Sequence, residues 1–250
     1  MKKNNLLIFF LSSFILINSV NANQTIDKYE KERNILKKNS LIKPKKYYKD
    51  MNKIDKNFAI KINPEFLSIT GETKENFIKY AEEAANDKYW VEANKAFYFE
   101  TRDAKIKNYN AKIPKYKKAL KFFKESVKEN KTILSAYQGL QLTVKYFTFI
   151  SPDTSKGDFK DLLIRDILKK YLDYFSTFLM KKNYCYAYFQ KIKFQVDYLN
   201  DYEAAKKTGD IGYPICKKQL EEGKIPKWLD KYFRMKYVKA KTILKLRNKR

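Results

Sequence analysis

The 250-residue chain carries 54 Lys and Arg against 28 Asp and Glu, a formal charge of +26, and contains no histidine. Without imidazole there is no Ser-His-Asp triad, no Cys-His thiol protease, no His-ligated zinc or haem and no histidine pH switch. Six glycines leave no room for a phosphate-cradling loop, and 44% hydrophobic with 16% aromatic residues is too apolar for a disordered polybasic tail.

Residues 1–22 read as a signal peptide. Lys2 and Lys3 supply a positive start, Leu6 to Ile17 an apolar core, and Val20-Asn21-Ala22 a small-residue site for cleavage after Ala22. The apolar run is shorter than the roughly 20 residues of a spanning helix, so the expected location is periplasmic or secreted. Residues 23–57, rich in Lys and Asn, read as a basic arm or linker. Within it, Lys43, Lys45 and Lys46 are candidate contacts to an anionic surface.

Residues 58–250 are expected to form a single all-α domain. The alternation Phe58, Ile60, Ile62 suggests a short extended segment at its start. Helical periodicity follows: a helix capped by Thr73 to about Asn86, and another from Tyr89 to about Tyr109. Pro114 opens a third helix to about Asn130 and Thr132 a fourth to Phe149. A turn-rich loop at 150–158 separates these from helices at about 159–182 and 184–200. Thr208 to Pro214, with two glycines and a proline, reads as a second loop, followed by a short helix that ends at Gly223. Pro226 opens the last helix. Short connections between paired helices predict stacked antiparallel hairpins, as a repeat array or an irregular bundle.

Part of this pattern resembles a tetratricopeptide repeat. Tyr116, Ala119, Phe123 and Ser126 match the second helix of such a unit, and Tyr137 and Leu140 match the first helix of the next. The match covers about 25 residues; Lys131 stands where a turn proline is usual. The resemblance implies that small residues allow close helix approach, that aromatics fill the gaps between hairpins, and that the array binds a protein or peptide.

Cys185 and Cys216 are the only cysteines, and in an oxidising compartment they are expected to bond. Two Cys without His cannot complete a zinc site, and no metal or cofactor is expected. Glu82/Glu83 and Glu221/Glu222 are adjacent carboxylates that diverge by about 100° on a helix. Tyr184, Tyr186, Tyr188, Phe189 and Phe194 are expected to fill the core, with a groove for peptide or glycan as the alternative.

The C-terminal helix interleaves Lys241, Lys245, Arg247, Lys249 and Arg250 with apolar residues, a basic amphipathic pattern suited to anionic lipid or polymer. Packing of its apolar side on the body is the competing expectation. Lysine far outnumbers arginine, which disfavours nucleic acid as the partner. The expected function is therefore a non-catalytic binding or scaffold protein of the cell envelope with a protein or peptide partner. Adhesion to an anionic membrane or envelope polymer is the first alternative. A glycan-acting enzyme using a Glu/Asp pair is the second.

Overall fold

The computed structural model describes residues 54–99, 113–150 and 159–248. Ten α-helices, and no strand, occur among them. The first, α1 (Lys56–Ile62), starts because the Asp55 carboxylate accepts the Phe58 N–H at 3.0 Å. This overturns the extended reading of 58–62. Phe58, Ala59 and Asn63 are the buried positions, a helical spacing that alternation at three residues had concealed. A short α2 (Phe66–Thr70) ends at Gly71, whose φ of 73° requires the left-handed region.

Thr73 caps α3 (Lys74–Asn86) by accepting the Asn76 N–H at 3.2 Å, and Phe77, Ala81 and Ala84 face the core. Asp87 then caps α4 (Lys88–Asn94), which passes into a π-helical turn, Lys95–Phe99. The expected continuation of this helix to Tyr109 lies outside the described residues. Pro114 sits in the first turn of α5 (Ile113–Asn130), whose inner stripe buries Tyr116, Leu120, Phe123 and Val127. Lys131, at φ 57°, turns the chain into α6 (Ile133–Ile150). Residues 151–158 of the expected loop lie outside the described residues, as do 1–53 with the expected signal peptide and most of the expected arm.

The second half comprises α7 (Phe159–Met180), α8 (Cys185–Asp197), α9 (Tyr202–Glu221) and α10 (Lys227–Arg247). From α3 to α10, each helix packs on the next wherever both flanks are described. Contacts two or three helices apart (α6 with α8, α8 with α10, α3 with α6) knit the series into an all-α array. At its centre lies α8. Tyr186, Ala187, Tyr188, Phe189, Ile192, Phe194 and Val196 are all buried; α2, α6, α7, α9 and α10 pack around the helix and leave a partly exposed line at Gln190, Lys193 and Asp197.

The stretch 208–214 is helix, not loop. Both glycines lie inside α9 at points of close approach: a Cβ on Gly212 would stand 2.8 Å from Tyr188, and one on Gly209 would strike the Tyr237 ring. Pro214 also lies within this helix. The composition that signals a turn here serves helix contact instead. Gly139 does the same between α6 and α7, where an added Cβ would meet Phe175 at 2.5 Å.

Cys185, the first residue of α8, is bonded to Cys216 in α9 across a separation of 31 residues. Both sulfur-bearing residues are fully buried.

Candidate functional site

The expected site residues separate into an interior set and a surface set. All six residues that carry the repeat resemblance are buried: Tyr116, Ala119, Phe123 and Ser126 on α5, Tyr137 and Leu140 on α6. Tyr116 packs against Phe97 and Tyr146, with ring centroids 5.7 and 5.6 Å away. Ser126 does more than permit close approach. Its hydroxyl bonds the Asp87 carboxylate and also meets the Ser135 hydroxyl.

Asp87 is the hub of a buried polar column that the sequence reading did not contain. One carboxylate oxygen accepts the Tyr89 and Trp90 N–H groups at 2.9 and 3.4 Å, while the other accepts hydroxyl protons from Ser126 and, at 2.6 Å, Thr132. One turn deeper, the Trp90 indole N–H donates to Gln138 Oε1 at 2.6 Å, and Gln138 Nε2 donates to Asn94 Oδ1 at 3.0 Å. Every donor in this column finds an acceptor, so its chemistry is used up in joining α4, α5 and α6.

The tyrosines of α8 are core. Tyr184, Tyr186 and Tyr188 are at most 5% exposed, which removes the groove that surplus aromatics could have lined. Burial pushes the pKa of Tyr186 up, and burial together with the Glu72 carboxylate that accepts the Tyr184 hydroxyl proton at 2.5 Å does the same for Tyr184, so both stay neutral phenols. The adjacent carboxylates are ion-paired at the surface: Glu82 with Lys56 at 2.6 Å, Glu221 with Lys217 at 3.7 Å, Glu222 with Lys224 at 2.8 Å. Among the described residues no group of His, Cys, Asp and Glu could hold a metal ion.

The surface set converges on the α9–α10 edge. A groove of about 800 Å³ runs between these helices, with Lys206, Lys241, Lys245 and one acid, Glu203, around Tyr237 and Val238. Its wall is organised by Asp210, one turn along α9 from Lys206. Lys206 Nζ donates to Asp210 Oδ2 at 2.7 Å, and the Tyr237 hydroxyl donates to Oδ1 at 2.5 Å. The lysine contact, then the tyrosine contact, holds the Asp210 carboxyl below its ordinary range. Tyr237 is pushed up to about 12, chiefly by that hydrogen bond, because the neutral phenol is the form that can donate it. The Lys241 ammonium lies 5.1 Å from the Tyr237 ring centroid, and Arg247 lies 5.0 Å from that of Tyr202.

Of the residues expected to contact an anionic surface, Lys241, Lys245 and Arg247 are exposed on α10. Lys43, Lys45, Lys46, Lys249 and Arg250 lie outside the described residues. Lys206, Asp210 and Tyr237 had not been singled out. The Lys206–Asp210 pair has the readable i, i+4 spacing, but assigning 208–214 to a loop hid it. Tyr237 joins them across 27 residues, which no local pattern reports.

Comparison with protein-family models, with curated proteins and with solved structures finds no match to this chain. Among the described residues no helix is long and apolar enough to cross a membrane.

Proposed function

We propose that the chain is an exported, non-catalytic binding protein that presents its α9–α10 edge to a polyanionic partner of the cell envelope. The observation that carries this reading is the groove itself: three lysines arranged about a tyrosine whose orientation Asp210 fixes. The helix α10 adds six Lys and two Arg against a single acid, Asp230, so the edge is basic along its length. Asp230 is already engaged by Arg234 at 2.8 Å, and Lys236 by Asp197 at 2.6 Å; among the described residues neither Lys241 nor Lys245 forms an ion pair, although the Lys241 charge helps to hold the Asp210 carboxyl down. The rest of the molecule serves as scaffold, tetratricopeptide-like around α5 and α6, where the six matching residues are buried between hairpins.

Charge recognition of this kind is screened over about 8 Å at physiological ionic strength. Mature protein starting at Asn23 should bind soluble poly-glutamate with an affinity that falls steeply as salt rises. Replacing Lys241 and Lys245 together by Gln should weaken binding by about tenfold or more, with the circular dichroism unchanged. Binding that ignores both salt and this double substitution would remove the reading.

A further inference from the structure

The outward side of α10 is apolar as well as basic. Its inward side is settled by Leu229, Phe233, Ala240 and Leu244, all buried against the body. Met235, Val238, Thr242 and Leu246 fall on the opposite side, spaced by three, four and four residues, which is the interval of a single helical stripe about 16 Å long. Met235 is 50%, Val238 59% and Leu246 60% exposed. Five large apolar side chains are exposed among the described residues, and three of them share this stripe. Isolated exposed apolar residues need no explanation, but a cluster on one face does.

Lysines flank the stripe. Lys231 and Lys245 lie along it and Lys239 beside it, all exposed and none ion-paired among the described residues. This charge decides between occupants. A second copy of the same face would bring like charges together over the full length of the helix, which opposes an apolar dimer seam. A neutral apolar partner would leave the lysines without counter-charges. A surface that is negative in its outer layer and apolar just beneath satisfies both components, and an anionic bilayer has that order.

Resting on the polyanion reading above, we propose that the outer stripe of α10 seats the protein on an anionic phospholipid bilayer. Met235, Val238 and Leu246 enter the headgroup–acyl boundary while Lys231, Lys239 and Lys245 reach back along it to lipid phosphates. Long lysine stems suit this geometry, since they lie on apolar surface while the ammonium stays with the phosphates. The helix remains docked on α8 and α9, so contact is shallow and lies in the plane of the interface.

The test uses the mature chain with vesicles of phosphatidylcholine alone and of phosphatidylcholine mixed with phosphatidylglycerol, alongside soluble poly-glutamate. Partitioning is expected to the mixed vesicles only. Replacing Met235 and Leu246, which lie outside the groove, together by Gln should lower that partitioning about tenfold or more and leave poly-glutamate binding unchanged. Both side chains are exposed, so the fold should survive, which thermal melting would verify. Replacing Lys239 and Lys245 by Gln should weaken both interactions, by about fivefold per lysine for vesicles. If the Met235 and Leu246 double variant partitions like the parent, or if poly-glutamate binds and the mixed vesicles do not, insertion is refuted while the polyanion reading stands. If neither ligand binds, both fall.

Discussion

Tyr237 donates its phenolic proton to Asp210, and that one bond sets how the α9–α10 edge responds to pH. The tyrosine ionises near 12 in the folded protein rather than at its ordinary 10, so the folded state favours the protonated phenol. The stabilisation is complete below about pH 10 and disappears as pH climbs through about 12. Asp210 behaves oppositely: held below its usual range, it keeps its contribution at neutral pH and loses it as pH falls through its lowered value. A spectroscopic titration of tyrosinate checks the alkaline arm. The difference between parent and Tyr237→Phe should rise with a midpoint near 12; a midpoint near 10 would show that the bond does not form in solution. At this scale the sequence was uneven in what it disclosed. Cys185 and Cys216 were readable because only one pairing exists. Tyr237 was not, because its meaning depends on a carboxylate 27 residues away.

Among the elements, the α4–α5–α6 group shows how one side chain can define a junction. The Asp87 carboxylate caps α4 and also accepts hydroxyl protons from α5 and from the entry to α6. Asp87→Ala should therefore cost about 3 kcal/mol, more than an isolated cap, because it leaves Ser126 and Thr132 buried without their acceptor. Chemical denaturation would measure this loss. A cost of about 1 kcal/mol or less would mean that water replaces the carboxylate. The Asp87 cap was not singled out in the sequence, although capping chemistry is local. Its hydroxyl partners lie 39 and 45 residues on, where no local pattern reports them. Helix starts marked by Thr73, Pro114 and Pro226 were legible because capping and proline chemistry act within one turn. Gly209 and Gly212 were misleading for the same reason. Local chemistry reads them as a turn, and only the rings of Tyr237 and Tyr188 explain why no side chain can stand there. In α10 two apolar stripes coexist, and periodicity alone does not say which one the body covers.

For the molecule as a whole, the Cys185–Cys216 bond is the one covalent tie between distant segments. Closing a loop of 31 residues restricts the unfolded chain and should stabilise the fold by about 3–4 kcal/mol. In a protein of this size, the double Cys→Ala variant should melt roughly 10 °C lower than the oxidised parent. Differential scanning calorimetry decides it, and an unchanged melting temperature would place the stability elsewhere. Because both cysteines are fully buried, a thiol reagent with reductant should label the native protein only after opening of the α8–α9 contact.

The enclosure of α8 on nearly every side reaches further than packing. Phe233 and Leu229 of α10 are among the side chains that keep water from the body, so α10 cannot swing away to meet a partner without uncovering apolar interior. The terminal helix is thereby fixed as a keel: whatever approaches this protein meets a rigid edge, and recognition there proceeds by landing on a finished surface, with no hinge to close around the guest.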